Sequence, residues 1–284
     1  MPTTRFAPSP SGLLHLGHAF AALSAYQAAA GGRFLVRIED LDTARARAEY
    51  IGSIEEDLAW LGLRWETPLL QQSTRAAAYQ AALESLSARE LLYPCFCTRS
   101  EIAAELARAG QAPHERPAAL YPGTCRGLSA GERAERQRAG VPYALRFDVG
   151  RAAVLAGALE FSELGAGPAG EHGPIRVDPQ LFGDVVLARK DLPAAYHLAV
   201  VVDDAYQQVT LVTRGHDLFS ATHLQRLLQA LLKLPVPQYA HHRLILDPSG
   251  KKFSKRDQAV TLRHLREQGV TPAMIRERLG LPGG

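Results

Sequence analysis

Two short stretches carry residue types and spacings suited to phosphate chemistry. In "APSPSGLLHLGH", residues 7–18, His15 and His18 stand three apart around Gly17, directly ahead of an alanine-rich run. In the first turn of a helix both imidazoles face one side. Unpaired backbone N–H groups and the helix dipole favour an anion there, and Gly17 lets a flat group approach the backbone. In "GKKFSKRD", residues 250–257, Lys252, Ser254 and Lys255 follow the turn "DPSG". Lysines on such a loop can neutralise nucleotide β- and γ-phosphates and a departing pyrophosphate. Helix capping alone explains the first stretch, and a solvated turn alone explains the second. Together they point to a nucleotide. The i, i+3 spacing of the histidines departs from the i, i+4 pattern of helical zinc sites.

The cysteines form a second constellation. All three, Cys95, Cys97 and Cys125, fall within 31 positions of a 284-residue chain. Cys95 and Cys97 are too close in sequence for an easy mutual disulfide, and three thiolates need a fourth ligand to complete tetrahedral zinc. His114 is the chemically obvious candidate. Three buried small hydrophobes are the plain alternative.

These residues need a frame. The chain is long enough for one large domain or two modest ones, and 46% hydrophobic with 21% charged residues is an ordinary globular balance. A formal charge of +3 does not by itself announce a nucleic-acid partner. The apolar stretch 19–30 is too short to cross a bilayer, and "GGRFLVRIED" after it reads as a strand of the mature fold, so no membrane partner and a cytoplasmic location are expected. Along the chain "TRFAPS" is extended, a helix runs from about Leu16 to Ala30 before Gly31-Gly32, and "RFLVRI" is a buried strand. Helical spacing follows over Arg45–Leu61 and Ala76–Leu92. From Tyr93 to about Lys190 a Cys-, Pro- and Gly-rich texture suggests an insertion. "AYHLAVVVDDA" and "QVTLVTR" read as strands, a helix covers Ala221–Leu234 with Ser220 as N-cap, "HRLILD" is a last strand, and the final 28 residues after Arg256 hold at most two short helices around Gly269. The layout is α/β: a Rossmann-like parallel sheet split by an inserted segment. The expected divisions are 1–94 and 191–240 for the two sheet halves, 95–190 for the insertion, and 241–284 for the lysine loop and stem helices.

"HLGH" and "KFSKR" resemble the HIGH and KMSKS signatures of class I aminoacyl-tRNA synthetases. "RFAPSPSGLLHLGH", "RIEDLD" at 37–42 and "YHLAVVVDD" at 196–204 resemble their glutamyl/glutaminyl branch, and within it the short glutamyl-queuosine paralogues. The similarity covers nearly the whole chain. Phe253 and Arg256 depart from the signature, whereas Lys252, Ser254 and Lys255 keep the phosphate-contacting positions. The resemblance implies His15, His18, Lys252 and Lys255 as catalytic groups, and His15, Gly17, His18, Ser254 and Lys255 as ATP contacts. It places glutamate against Arg5, Phe6, Ala7, Pro8, Ser9, Glu39, Tyr196 and Arg214. Charge agrees: two carboxylates need two guanidinium forks, Arg5 and Arg214, and one ammonium needs an anion, Glu39. Which arginine takes which carboxylate stays open. Arg37, Asp40 and Asp42 are architectural on this reading. The paralogue's pattern of CxC followed by YxxxC points to Tyr121 as fourth zinc ligand beside Cys95, Cys97 and Cys125, in place of His114.

The implied reaction is ATP-dependent adenylation of L-glutamate with Mg²⁺, then esterification to queuosine at the wobble position of tRNA(Asp), with a structural zinc ion remote from the chemistry. A monomer without an anticodon-binding domain is expected. A truncated enzyme charging the 3′ end of tRNA(Glu), a nucleotidylyltransferase and a non-catalytic tRNA-binding paralogue are the alternatives. The nucleotidylyltransferase has no use for "RIED", Tyr196 and Arg214 together, and a non-catalytic paralogue has no need to keep both signatures.

Overall fold

The computed structural model describes residues 1–98, 100–101, 121, 123–246 and 260–282. The chain begins β1 (Thr3–Phe6), α1 (Leu16–Ala29), β2 (Arg33–Ile38), α2 (Ala48–Trp60), β3 (Leu70–Gln71) and α3 (Ala76–Ser87). It continues β4 (Leu92–Cys95), α4 (Ala130–Arg138), β5 (Ala144–Phe147), α5 (Val149–Ala156), β6 (Glu160–Glu163), β7 (Gly173–Arg176) and β8 (Val185–Arg189). It closes α6 (Tyr196–Tyr206), β9 (Leu211–Gly215), α7 (Ala221–Leu232), β10 (Gln238–His242), α8 (Leu262–Glu267) and α9 (Pro272–Arg278).

β1 is buried at all four positions and β2 at every position but Arg33, as in strands covered on both faces, and the two pair in parallel from Thr3 opposite Arg33 to Phe6 opposite Val36. β3 adds to β2, also in parallel. A second sheet has the order β7-β6-β10-β9, in which β9 and β6 both run parallel to β10. The sheets adjoin where the Thr210 N–H donates to the Thr3 carbonyl at 3.0 Å and the Thr3 N–H to Thr210 Oγ1 at 2.9 Å. A separate antiparallel sheet joins β4, β5 and β8. One apolar cluster packs α1, β2 and α2 against Leu262, Leu265, Ile275 and Leu279 of the C-terminal helices. Another gathers α3, α6 and α7.

Several expectations shift. "AYHLAVVVDDA" is helix α6, not a strand, with His197 to Val201, Asp203 and Asp204 buried. A short apolar run buried on all sides has no periodicity to separate helix from strand, and packing overrides the β-preference of three successive valines. "HRLILD" is not a strand: β10 ends at its first residue, His242, and Arg243–Ile245 is irregular. The helix expected to reach Leu92 ends at Ser87, where left-handed Glu90 turns the chain into β4. Ser220 stands at the N-cap position of α7 but is itself helical and makes no side-chain cap bond. Within residues 95–190, β6 pairs with β10 and carries β7 on its other edge, so this hairpin joins the second sheet and not β4, β5 and β8.

Candidate functional site

β1 delivers Arg5 and Phe6 to a cavity of about 390 Å³, and the turn after it adds Ala7, Pro8 and Ser9. The start of α1 contributes His15, Gly17 and His18, the end of β2 Glu39, α6 Tyr196 and β9 Arg214. All the glutamate and signature-histidine residues singled out in sequence therefore line one space. Lys252, Ser254 and Lys255 lie outside the described residues, as does His114. The flanks of that lysine stretch meet the cavity: Leu244 and Ile245 line it, and Thr261 bridges to His15.

Capping and function coincide at the histidines. His15 is the N-cap of α1, and its Nδ1 accepts from the Gly17 N–H at 3.2 Å. His18 Nδ1 accepts from the His15 N–H, also at 3.2 Å. An imidazole nitrogen that accepts a hydrogen bond carries no proton, so both rings hold theirs on Nε2. A Cβ on Gly17 would stand 3.1 Å from His15 Cε1, so the glycine admits the ring to its capping position.

The two arginines are held differently. Arg5 Nε donates to Asp204 Oδ1 at 2.9 Å, and the fully buried Arg37 donates to the same oxygen at 2.7 Å. Burial works against the Asp204 carboxylate, but Arg5 and Arg37 outweigh it and hold its pKa below the ordinary value. Arg214 instead meets neutral acceptors: His241 Nε2 at 3.1 Å from Nε, Gln225 Oε1 at 2.7 Å from Nη1, and Thr222 Oγ1 at 2.6 Å from Nη2. Glu39 lies 3.6 Å from Arg37 Nη2, and burial raises its pKa to about 7 despite Arg37 and Arg5. Burial also raises the phenol of Tyr196 above its ordinary value. Asp40 accepts from Ser73, and Asp42 pairs with Arg45, both away from the cavity lining.

At the end of β4 the three cysteine sulfurs lie within 4.8 Å of one another. Cys97 Sγ is 3.8 Å from Cys125 Sγ, and the Tyr121 hydroxyl is 3.5 Å from both Cys95 and Cys97 sulfurs. Ligands about 2.3 Å from a tetrahedral metal stand roughly 3.8 Å apart, so the spacing and the donor set fit a metal ion. Burial opposes the Cys95 thiolate, yet hydrogen bonds from Tyr121 and Arg146 hold its pKa below the ordinary thiol value.

Sequence reasoning missed the residues behind the cavity. Asp204, Glu163, His241, Thr222 and Gln225 are buried, and of these only Asp204, at the end of "YHLAVVVDD", falls in a stretch that the sequence singles out. A charged residue inside the apolar run "LAVVVDDA" was the one available signal, since buried charges require partners.

The family described as tRNA synthetases class I (E and Q), catalytic domain, matches residues 2–283. A glutamyl-Q tRNA(Asp) synthetase of Rhodobacter capsulatus is 48% identical, over 98% of this chain and 99% of its own length. One from Nocardia farcinica is 44% identical, over 98% of this chain and 85% of its own. The crystal structure of a glutamate-tRNA synthetase from Elizabethkingia anophelis superposes with a TM-score of 0.75 at 29% identity, covering 95% of this chain and 59% of that one. The chain belongs to the class I glutamyl and glutaminyl tRNA synthetases, and within them to the glutamyl-Q tRNA(Asp) synthetases.

Proposed function

We propose that the protein activates L-glutamate with ATP and Mg²⁺ and transfers the glutamyl group to queuosine in the anticodon of tRNA(Asp). One observation carries the acceptor: relatives so named reach 48% and 44% identity, whereas a glutamate–tRNA ligase of Nitrosococcus oceani reaches 40%. The cavity supports the amino acid. Arg5 and Arg214 offer guanidinium forks, and Glu39 an anion for the ammonium.

In this reading a glutamate α-carboxylate oxygen attacks the α-phosphorus of ATP in line. The bond from that phosphorus to the bridging oxygen breaks, and pyrophosphate departs with the electron pair. The Nε2–H groups of His15 and His18 donate to phosphate oxygens as charge develops. Lys252, Lys255 and Ser254 are assigned to the pyrophosphate side by their match to the family signature. A hydroxyl of the queuosine cyclopentenediol then attacks the adenylate carbonyl, and AMP leaves. Cys95, Cys97, Cys125 and Tyr121 would hold a structural zinc ion, tying the end of β4 to residues 121–125.

Labelled glutamate should enter tRNA(Asp) from queuosine-containing cells and not from cells unable to make queuosine. Label on tRNA(Glu), lost on trimming its terminal adenosine, would mark a 3′-charging enzyme instead. Protein purified without chelator should carry one zinc by elemental analysis, and Cys97→Ser should lose it together with some thermal stability. Folded, active protein without zinc would remove the ion from this account.

A further inference from the structure

We propose that Glu163 and His241 form a buried positioning pair that fixes the Arg214 guanidinium for an anionic substrate group while leaving its charge unneutralised. The inference rests on the glutamate reading above for its substrate and on geometry for the rest. His241 Nδ1 lies 2.5 Å from Glu163 Oε2, and both side chains are fully buried. The other Glu163 oxygen accepts from the backbone N–H of His241 at 2.8 Å and of Gly165 at 2.9 Å. Glu163 is therefore held as an acceptor at both oxygens. A Cβ on Gly165 would come 2.5 Å from the His241 carbonyl oxygen, so this turn closes against β10 only with glycine.

The proton positions follow. A carboxylate opposite Nδ1 requires Nδ1–H, and the Arg214 Nε–H directed at Nε2 requires Nε2 to be a bare acceptor. The imidazole is neutral, with its proton on the nitrogen opposite to that in His15 and His18. The titratable groups around it are Glu163 on β6, Arg214 on β9, and Tyr239 and His242 on β10. Burial together with the Arg214 charge holds the ring well below its ordinary pKa.

The consequence is electrostatic. A guanidinium bonded directly to a carboxylate, as Arg5 is to the Asp204 that it shares with Arg37, has part of its charge balanced within the protein. Here the carboxylate is set back behind a neutral ring, so Arg214 gains orientation without a direct counter-ion among the described residues. Three of its five N–H groups go to His241, Gln225 and Thr222, leaving one on each terminal nitrogen for a carboxylate.

Glu163→Gln tests this without emptying the site. An amide cannot accept at both oxygen positions, so its NH₂ faces either Nδ1 or two backbone N–H groups. Facing Nδ1 it moves the ring proton to Nε2, which then opposes the Arg214 Nε–H. In glutamate-dependent ATP–pyrophosphate exchange the glutamate KM should rise about tenfold to a hundredfold, with kcat at saturating glutamate falling less. Imidazole ¹⁵N spectra of the intact wild type should show His241, assigned by its loss in His241→Gln, protonated on Nδ1 near neutral pH. His241→Gln, whose amide oxygen can replace Nε2 as acceptor, should hold KM closer to wild type than Glu163→Gln does. An Nε2–H or imidazolium His241 in the wild type overturns the proposal whether or not the variants fold. So does an unchanged glutamate KM in Glu163→Gln. If the wild type shows the Nδ1–H ring but does not activate glutamate, the pair stands and the substrate assignment falls.

Discussion

Arg5 and Arg214 reach the same cavity from β1 and β9, yet their surroundings follow opposite electrostatic logics. Arg5 shares the buried carboxylate of Asp204 with Arg37, and that cluster joins β1, β2 and α6 in one set of ion pairs. Arg214 has three neutral hydrogen-bond acceptors and the face of Tyr239 at 5.3 Å. Buried ion pairs add little net stability while complete and cost much when one partner is removed, because an uncompensated charge stays behind. A guanidinium held by neutral acceptors gives less to the fold and keeps more attraction for a ligand. The Arg5 side is thus expected to report on folding, and the Arg214 side on binding.

The strongest way to break that contrast is Asp204→Asn. It leaves Arg5 and Arg37 facing an amide in a buried site, and urea unfolding should show a loss of about 3–5 kcal/mol. A loss below about 1 kcal/mol, as for an exposed ion pair, would mean that the cluster is solvated and the two arginines are not so different.

Arg214→Lys sharpens the other side. One ammonium cannot serve His241, Gln225, Thr222 and a substrate carboxylate together. The kcat/KM for glutamate in pyrophosphate exchange should fall by about 2 kcal/mol or more, roughly thirtyfold, with the larger share in KM. The unfolding midpoint should move less than in Asp204→Asn. The reverse ranking of the two variants, stability lost at Arg214 and activity at Asp204, would invert the comparison.

The same contrast marks what the sequence discloses. Residues that touch the cavity announce themselves, because substrate chemistry demands particular types at particular spacings: the HxGH pair, and Arg5 and Glu39 close to strand ends. β2 was also readable, since a strand covered on both faces keeps an apolar run such as "FLV", and β1 and β9 overlap the stretches "TRFAPS" and "QVTLVTR" read as extended. The supporting layer was not. Glu163 and His241 are 78 positions apart and meet only because β6 lies beside β10, an adjacency set by sheet topology and invisible to local pattern. Helix α6 was misread for a related reason: burial on all sides removes the amphipathic stripe that separates helix from strand.

Glu39 offers the smallest and most graded test, because it belongs electrostatically to the Arg5 side yet titrates. Burial outweighs the attraction of Arg37 and Arg5 and raises its pKa from 4.5 to about 7, whereas Asp204 beside it stays below its ordinary value. The folded protein therefore holds a proton on Glu39 that the unfolded chain releases between pH 4.5 and about 7. Across that window Glu39 lowers stability as pH rises, and above about 7 its contribution is constant. A substrate ammonium requires the ionised form, so binding opposes protonation. Below pH about 7 glutamate affinity should weaken, approaching tenfold per pH unit, and binding at pH 6 should release nearly one proton. Titration calorimetry at pH 6 and pH 8, in buffers of different ionisation heat, reads both quantities. Glu39→Gln should bind more weakly at pH 8 and lose the proton release. Equal affinity at both pH values with no proton exchange would place the ammonium against a carboxylate that is already ionised in the free protein, and Asp204 would then become the candidate.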